Sequence, residues 1–248
     1  MTTILGRTVA AVASSALVVL WCNDAAAYRP FDGTDAAVAE PDTIEIELGP
    51  VEYVRQGDEQ LLIAPNVRLN YGFAKGWEAV LEGRTTHGLS ATARHTSQID
   101  NGFFLKGVLR EGTLQDQPGP SIATEFGVLL PGINDEHGTG ASLAGIMSQR
   151  WEAITVHLNA AAAVTRQQHA DLFLSTILEG PHDWPVRPVA EVAYERDFGQ
   201  VETKSVLVGA IWQVKDDLAV DVGLRGARVN DHTAGEFRAG VTFAFAVR

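Results

Sequence analysis

Sixteen charged side chains fall at alternate positions of strand-like windows, mostly opposite apolar neighbours. The carboxylates are Glu45, Glu47, Glu78, Glu82, Glu125, Glu179, Glu191, Glu195 and Asp221; the cations are Arg68, Arg84, Lys106, Arg110, Arg187, Arg225 and Arg238. A β-strand sends successive side chains to opposite faces, so these charges share one face of a sheet. Turned toward hydrocarbon, each Arg or Lys would cost about 2–4 kcal/mol at a bilayer midplane. Such a face is tolerable only against water or opposite charge. One chemistry that follows is selection: rows of Arg and Glu along a water-filled lumen set a field that favours a small polar or anionic solute. The other is structural, with the same rows pairing across strands to stiffen a narrow barrel. About twelve strands give a width between the filled eight-strand barrels and the open porins, and a constricted channel is the reading favoured over a plug.

Two further residues on this face invite a catalytic reading. His157 lies one strand period from Asn159, which would suit a Ser–His–Asn hydrolase, but no serine is marked by a motif as its nucleophile. Both are placed with the lumen-lining set and no catalytic residue is assigned. The remaining histidines, His87, His95, His137, His169, His182 and His232, scatter over expected loops and turns without metal-ligand spacing. Gly132–Gly140 is acidic yet lacks the spacing of a calcium loop. Gly-rich phosphate loops are absent, so neither a metal nor a cofactor is expected.

The elements that must carry these charges are short alternating segments. From Phe237 onward, Phe237, Ala239, Val241, Phe243 and Phe245 oppose Arg238, Gly240, Thr242, Ala244 and Ala246. Ile63, Pro65, Val67, Leu69 and Tyr71 oppose Ala64, Asn66, Arg68 and Asn70. The same period runs through Trp77–Glu82, Phe103–Arg110, Ile122–Leu130, Ile154–Ala163, Arg187–Glu195 and Leu218–Ala227, where no helical period fits better. Ser205–Val214 is apolar on both sides and cannot be oriented by pattern. From Thr43 onward about twelve such segments follow, each near the 9–11 residues that a tilted strand needs to cross a bilayer. The fold class is therefore all-β: a transmembrane antiparallel up-and-down barrel over residues 43–248.

The connections divide into two groups. Short ones are expected near Ala74–Gly76, Gln149–Glu152, Pro181–Asp183 and Lys215–Asp217, and longer polar ones at Thr86–Gln98, Gly132–Gly140, Arg166–Ala170, Phe198–Thr203 and Asn230–Gly235. Short periplasmic turns and longer outer loops are the habit of outer-membrane barrels. Glu111–Pro120 is long for the first group, and Gln56–Gln60 is short for the second. Trp77, Trp151, Trp184 and Trp212 each lie beside one of the four short turns. Tryptophan favours the headgroup level, so the four read as an aromatic girdle at one interface.

The N-terminus supplies the address. Arg7, an apolar run over Thr8–Trp21 and the small residues Ala25–Ala27 read as a signal peptide, residues 1–27, cut after Ala27. Residues 28–42, rich in Ala, Asp, Pro and Gly, read as a flexible periplasmic extension. Cys22 is the chain's one cysteine and leaves with the leader, so a disulfide cannot staple the mature chain. Formal net charge is -12, which argues against nucleic acid as a partner.

Thr155-Val-His-Leu-Asn159, Pro188-Val-Ala-Glu-Val192 and Asp221-Val-Gly-Leu-Arg225, with the alternating terminus, resemble the MetA-pathway phenol degradation family of bacterial outer-membrane transporter-like proteins. The resemblance covers Pro120–Arg248 and implies a barrel of roughly twelve strands that moves small solutes, aromatic or hydrophobic ones among them. It brings no defined catalytic or binding residues. The expected partners are outer-membrane lipid, a small-molecule solute and the barrel-assembly machinery; barrels commonly end on an aromatic residue read by that machinery, whereas Phe245 here stands three positions before Arg248. The function expected is a non-enzymatic outer-membrane channel with a charged lumen. A sealed structural barrel is the alternative, and an outer-membrane hydrolase a further one.

Overall fold

Alternating charge and grease along this chain resolve into twelve antiparallel strands. A computed structural model describes residues 29–90 and 94–247; the expected leader, 1–27, lies outside the described residues. The strands are β1 (Thr43–Gln56), β2 (Glu59–Ala74), β3 (Trp77–Gly88), β4 (Thr96–Arg110), β5 (Ser121–Leu129) and β6 (Gly140–Arg150), then β7 (Thr155–Val164), β8 (Ala170–Glu179), β9 (Val186–Asp197), β10 (Val201–Lys215), β11 (Leu218–Val229) and β12 (His232–Ala246). Each pairs with its sequence neighbours, and β12 returns to β1, with Ile44 opposite Phe245 and Tyr53 opposite Phe237. The sheet closes, so no strand keeps an unpaired edge.

The two faces differ in solvent. Leu81, Val192, Val208, Val222 and Leu224 point outward and are roughly half exposed, as are Phe126 on β5 and Leu143 on β6. An apolar band that encircles the molecule is not a surface that water tolerates, whereas hydrocarbon does. Inside, Glu47, Glu78, Lys106, Glu191 and Asp221 are almost wholly buried. The interior is not purely ionic: Val80, Phe104, Ile146, Ile177, Leu207 and Ile211 also point inward and are buried. The β10 segment that pattern could not orient puts Ser205, Leu207 and Ile211 inside and Val206, Val208 and Trp212 outside.

Two prolines shift the alternation. Pro50 and Pro65 lie in facing stretches of β1 and β2, where the registers slip between Leu48 and Val51 and between Ile63 and Asn66. Proline cannot donate to a ladder, and a bulge absorbs the missing bond at the cost of one step of register. Beyond the bulges the faces exchange. Glu52 is therefore inside and buried, and Ile63, expected outside with Pro65 and Val67, is buried opposite Thr86 and Glu52.

The strands are also longer than their patterns suggested. The connections 198–200 and 230–231 are tight, because β10 begins at Val201 and β12 at His232, inside the expected loops Phe198–Thr203 and Asn230–Gly235. At the end that holds Thr43 and Ala246, residues 111–120 form the long connection, with a 3-10 turn at Thr113–Gln115.

The outward face makes a direct prediction. Val222→Arg puts a cation on that face and is expected to lower the unfolding free energy in phospholipid vesicles by about 2–4 kcal/mol. Urea titration followed by tryptophan fluorescence measures it, and unchanged stability would mean that this face does not meet hydrocarbon.

Candidate functional site

The barrel's interior is occupied by the chain itself. Residues 29–42, expected as a free periplasmic extension, instead run through the lumen and bind its wall. Their composition explains the fit. Alanine, glycine and aspartate carry little bulk, and their backbone N–H groups meet carboxylates and hydroxyls on the inner face. The Asp32 and Gly33 N–H groups donate to the two oxygens of Glu191 at 2.7 and 2.8 Å. Thr34 N–H donates to Asn159 Oδ1 at 3.1 Å, Ala36 N–H to Ser148 Oγ at 2.9 Å, and Ala39 N–H to Glu78 Oε2 at 2.6 Å.

Charge holds the first half of the segment. Asp32 accepts from Arg238 at 2.6 Å and pairs with Arg225 at 2.9 Å. Arg29 donates to Glu52 at 2.6 Å and lies 3.7 Å from Asp221. Arg238 also donates to the Pro30 carbonyl at 2.7 Å. A charge-assisted hydrogen bond is roughly twice as strong as a neutral one, and a buried charge must find such partners. Lys106 lies between this segment and the wall, 3.6 Å from Asp35 and 3.7 Å from Glu78, with the Thr34 hydroxyl at 3.3 Å.

Apolar contacts and missing side chains complete the seat. Phe31 packs on Val189, Ile211 and Ala219; Ala36 is fully buried with Ala123, Ile146 and Leu114. Gly49 and Gly240 leave room for the Arg29 guanidinium, where a Cβ would collide with it, and a Cβ at Gly223 would come within 3.0 Å of Pro30. The long 111–120 connection folds under the segment: Gln115 Nε2 donates to the Ala36 carbonyl at 3.1 Å, and Thr113 Oγ1 accepts from Arg150 N–H at 2.9 Å.

The other inward charges pair on the wall. Arg68 lies between Glu82 at 2.8 Å, Glu125 at 2.6 Å and Glu47 at 3.9 Å. Glu236 accepts from Arg238 at 2.6 Å and from Arg225 at 3.2 Å. Arg187 stands 3.5 Å from Glu179. Glu195 belongs to the inward row of β9, near the end opposite Thr43, where it is exposed. At that end Arg84 pairs with Asp100, and Arg166 lies 3.8 Å from Asp100 and 3.5 Å from Glu136. Glu136 also accepts the Asp100 N–H at 2.6 Å, which draws the 130–139 loop onto β4. Burial, with the Asp100 carboxylate beside it, raises the Glu136 carboxyl above the usual carboxylate range.

One expected lumen residue is elsewhere. Arg110 follows a register shift after Val108, is exposed, and caps the Pro118 and Pro120 carbonyls of the 111–120 connection. The bulge turned it outward. Pattern reading also missed residues that the lumen uses. Glu236 could have been found by extending the β12 alternation backward from Arg238. Glu52 was hidden by the Pro50 bulge. Arg29 and Asp32 carry no periodic signal at all.

His157 does have a serine beside it, though not one that a motif marks. Ser148 Oγ lies 2.8 Å from His157 Nδ1, and His157 Nε2 lies 3.3 Å from Glu179. Asn159, the partner that spacing suggested, instead accepts from Thr34. Ser148 is fully buried, and its oxygen already accepts the Ala36 N–H. Trp151, Trp184 and Trp212 are about half exposed, Trp212 on the outward face of β10 and the other two in the connections 151–154 and 180–185; Trp77 is partly covered against Gly107. Among the described residues no group of three His, Cys, Asp or Glu could hold a metal ion.

No family model and no curated protein matches this sequence. Solved structures do match its fold. The COG4313 outer membrane channel from Pseudomonas putida F1 superposes with a TM-score of 0.65 at 12% identity, over 87% of this chain and 99% of that one. The NanC porin gives 0.55 at 8% identity, over 81% and 98%. The KdgM porin in complex with disordered oligogalacturonate gives 0.54 at 13% identity, over 80% and 98%. The chain therefore has the fold of outer-membrane porins and channels.

Asp32 is the joint on which the seat depends. Asp32→Ala leaves Arg225 and Arg238 with Glu236 as their one carboxylate partner among the described residues, and hydrogen bonds to charged groups contribute roughly 1.5–3 kcal/mol each. Amide hydrogen exchange over residues 29–39 is expected to accelerate at least tenfold while the barrel amides hold; equal protection in both proteins would show that the ion pairs do not anchor the segment.

Proposed function

We propose that this protein is an outer-membrane channel for small solutes, closed at rest by its own residues 29–42 and open when they leave the lumen. The observation that carries the reading is the form of the seat. Backbone N–H groups rest on wall carboxylates, and ion pairs at Arg29, Asp32 and Asp35 hold the first half, so the contacts are polar and can be exchanged for water. A plug built to be permanent would use tight apolar packing, which this segment makes only at Phe31 and Ala36. Once it withdraws, Glu78, Glu191, Arg225, Arg238 and Asp221 face the pore, and a charged lining of both signs favours polar or charged groups on the solute. The apolar patch at Val189, Ile211 and Ala219 offers a seat for a ring or alkyl group once Phe31 has gone, which fits the aromatic solutes that the sequence resemblance implies. Export through the leader 1–27, insertion by the barrel-assembly machinery and a Trp girdle at the periplasmic face belong to the same reading.

A disulfide lock tests it. A Cβ at Gly33 would meet the Ser175 hydroxyl on the wall, so Gly33→Cys with Ser175→Cys brings the two sulfurs together and ties the segment down on oxidation. In planar bilayers the reduced protein is expected to give unitary currents under applied voltage and the oxidised protein none. Equal currents in both states would show that the segment is not the gate. Silence in both, from a barrel that keeps its heat-modifiable mobility, would favour the sealed structural barrel.

The buried Ser148–His157–Glu179 contact leaves a hydrolase as the second reading. With Ser148 Oγ covered by Ala36, a fluorophosphonate probe is expected to leave this serine unlabelled in the reduced and the oxidised protein alike. Labelling of the reduced form, lost in Ser148→Ala, would turn the assignment toward a gated enzyme.

A further inference from the structure

The outer wall carries a second asymmetry that the lumen does not explain. This chain is strongly acidic, with a net charge of -12. Yet near the barrel end opposite Thr43, the outward face from β9 round to β1 presents four cations: Arg196, Lys204, Arg228 and Arg55. The ladders place them side by side. Lys204 is opposite both Tyr194 and Arg228, Arg196 is opposite Glu202, and Arg55 is opposite Gly235, which lies next to Gly226. Arg228 and Lys204 are about two-thirds exposed. The carboxylates that touch the row are Glu202, 2.7 Å from Lys204, and Asp231, 3.4 Å from Arg228 and itself almost fully exposed. Arg196 lies 5.2 Å over the Phe198 ring and Lys204 5.9 Å over Tyr194. Four cations against two carboxylates leave this rim positive. On the opposite wall Val128, Ala141, Val164 and Leu172 occupy the corresponding outward positions, and none carries charge.

Beneath the cations the wall is grooved. Gly226 and Gly235 are neighbours across β11 and β12 and point outward, and a Cβ at either would meet nothing within 4 Å. The missing side chains leave a cleft of about 540 Å³ among Tyr53, Val206, Val208, Leu224 and Phe237. A second cleft of about 690 Å³ runs between Leu158, Leu174, Val192, Tyr194 and Val206. Val206 and Gly226 line both, so the two adjoin.

We propose that this wall is a binding site for one phosphorylated, multiply acylated lipid of the outer leaflet. The inference rests on the outer-membrane reading above. Its phosphates sit on Arg55, Arg196, Lys204 and Arg228, and its acyl chains lie in the two clefts. Guanidinium groups match phosphate oxygens with paired hydrogen bonds, and a low-dielectric rim strengthens each contact. Asp231, almost fully exposed, turns aside when the phosphates arrive, and Glu202 gives up its contact with Lys204. Charge complementarity selects this occupant over a neutral lipid, and the adjoining apolar clefts select it over a free anion. A second copy of this acidic chain offers no matching phosphate.

Native mass spectrometry of the full-length barrel in detergent, with added diphosphoryl lipid A, tests the site. One retained lipid per barrel is expected, with retention at least tenfold weaker for the fully dephosphorylated lipid and for the double variant Lys204→Glu, Arg228→Glu. Gly226→Phe fills the cleft without touching charge and is expected to weaken retention by a similar factor, with heat-modifiable mobility confirming that each variant has folded. Inorganic phosphate at the same concentration is expected not to displace the lipid. Equal retention by the parent and both variants, equal binding of the dephosphorylated lipid, or displacement by inorganic phosphate would each overturn the site. Cell fractionation is read separately: a barrel that sediments with the outer membrane and retains no lipid A selectively removes this site and leaves the channel reading standing.

Discussion

In hydrocarbon there is no water to bond a peptide N–H or C=O, so each one left open costs roughly several kcal/mol. A sheet meets that constraint by closing, and here the pairing of β12 with β1 closes it. Closure then dictates the rest. Every strand has two faces to dispose of, one toward a solvent that rejects charge and one toward a cavity that must be filled or wetted. With twelve strands the cavity is wider than opposed side chains can fill. The chain resolves this by sending residues 29–42 into its own lumen. Their alanines and glycine fit where a bulkier segment would not, and their amides satisfy the buried carboxylates of Glu78 and Glu191.

The same geometry explains why buried charge is tolerated at this density. Glu191 accepts two backbone N–H groups, and Glu78 lies within reach of both Ala39 N–H and Lys106. Arg238 spends its donors on Asp32, Glu236 and the Pro30 carbonyl. Replacing such a network by grease would often be neutral or stabilising, so ionic filling is weak support for stability alone. Its value lies in exchangeability. Water can take the place of a polar partner, whereas it cannot repack an apolar core, and a segment held in this way can leave a lumen that remains wettable.

The outer wall obeys the other half of the constraint, and its departures are informative. An outward cation among hydrocarbon is costly at the midplane and far less so near an interface. Arg55, Arg196, Lys204 and Arg228 all lie within a few residues of a strand end, where headgroup phosphates are the available counter-charges. Gly226 and Gly235 open the wall directly beneath them. Positive charge and apolar space thus meet in one place on an acidic protein.

Alternation along the chain was enough to identify the strands, to separate lipid face from lumen face over most of their length, and to place Arg68, Glu78, Lys106, Glu191, Asp221 and Arg238 inside. That information is local, because side-chain direction in a strand depends only on position within it. It failed where local rules change. Pro50 and Pro65 shifted the phase and hid Glu52 and Ile63; a further bulge turned Arg110 outward. It was silent on Ser205–Val214, which is apolar on both faces and where inward Ile211 packs with Phe31. Nothing local could show the lumen's occupant: Ala36 meets Ser148 across 112 residues, and Pro30 meets Arg238 across 208. A loop-like composition says that a segment need not be a helix or a strand, but its carboxylate and hydroxyl partners, Glu52, Glu78, Ser148, Glu191 and Asp221, come from five strands that surround one lumen only once the sheet has closed. The chemistry of the wall was therefore written in the sequence, and what fills the wall was decided by closure.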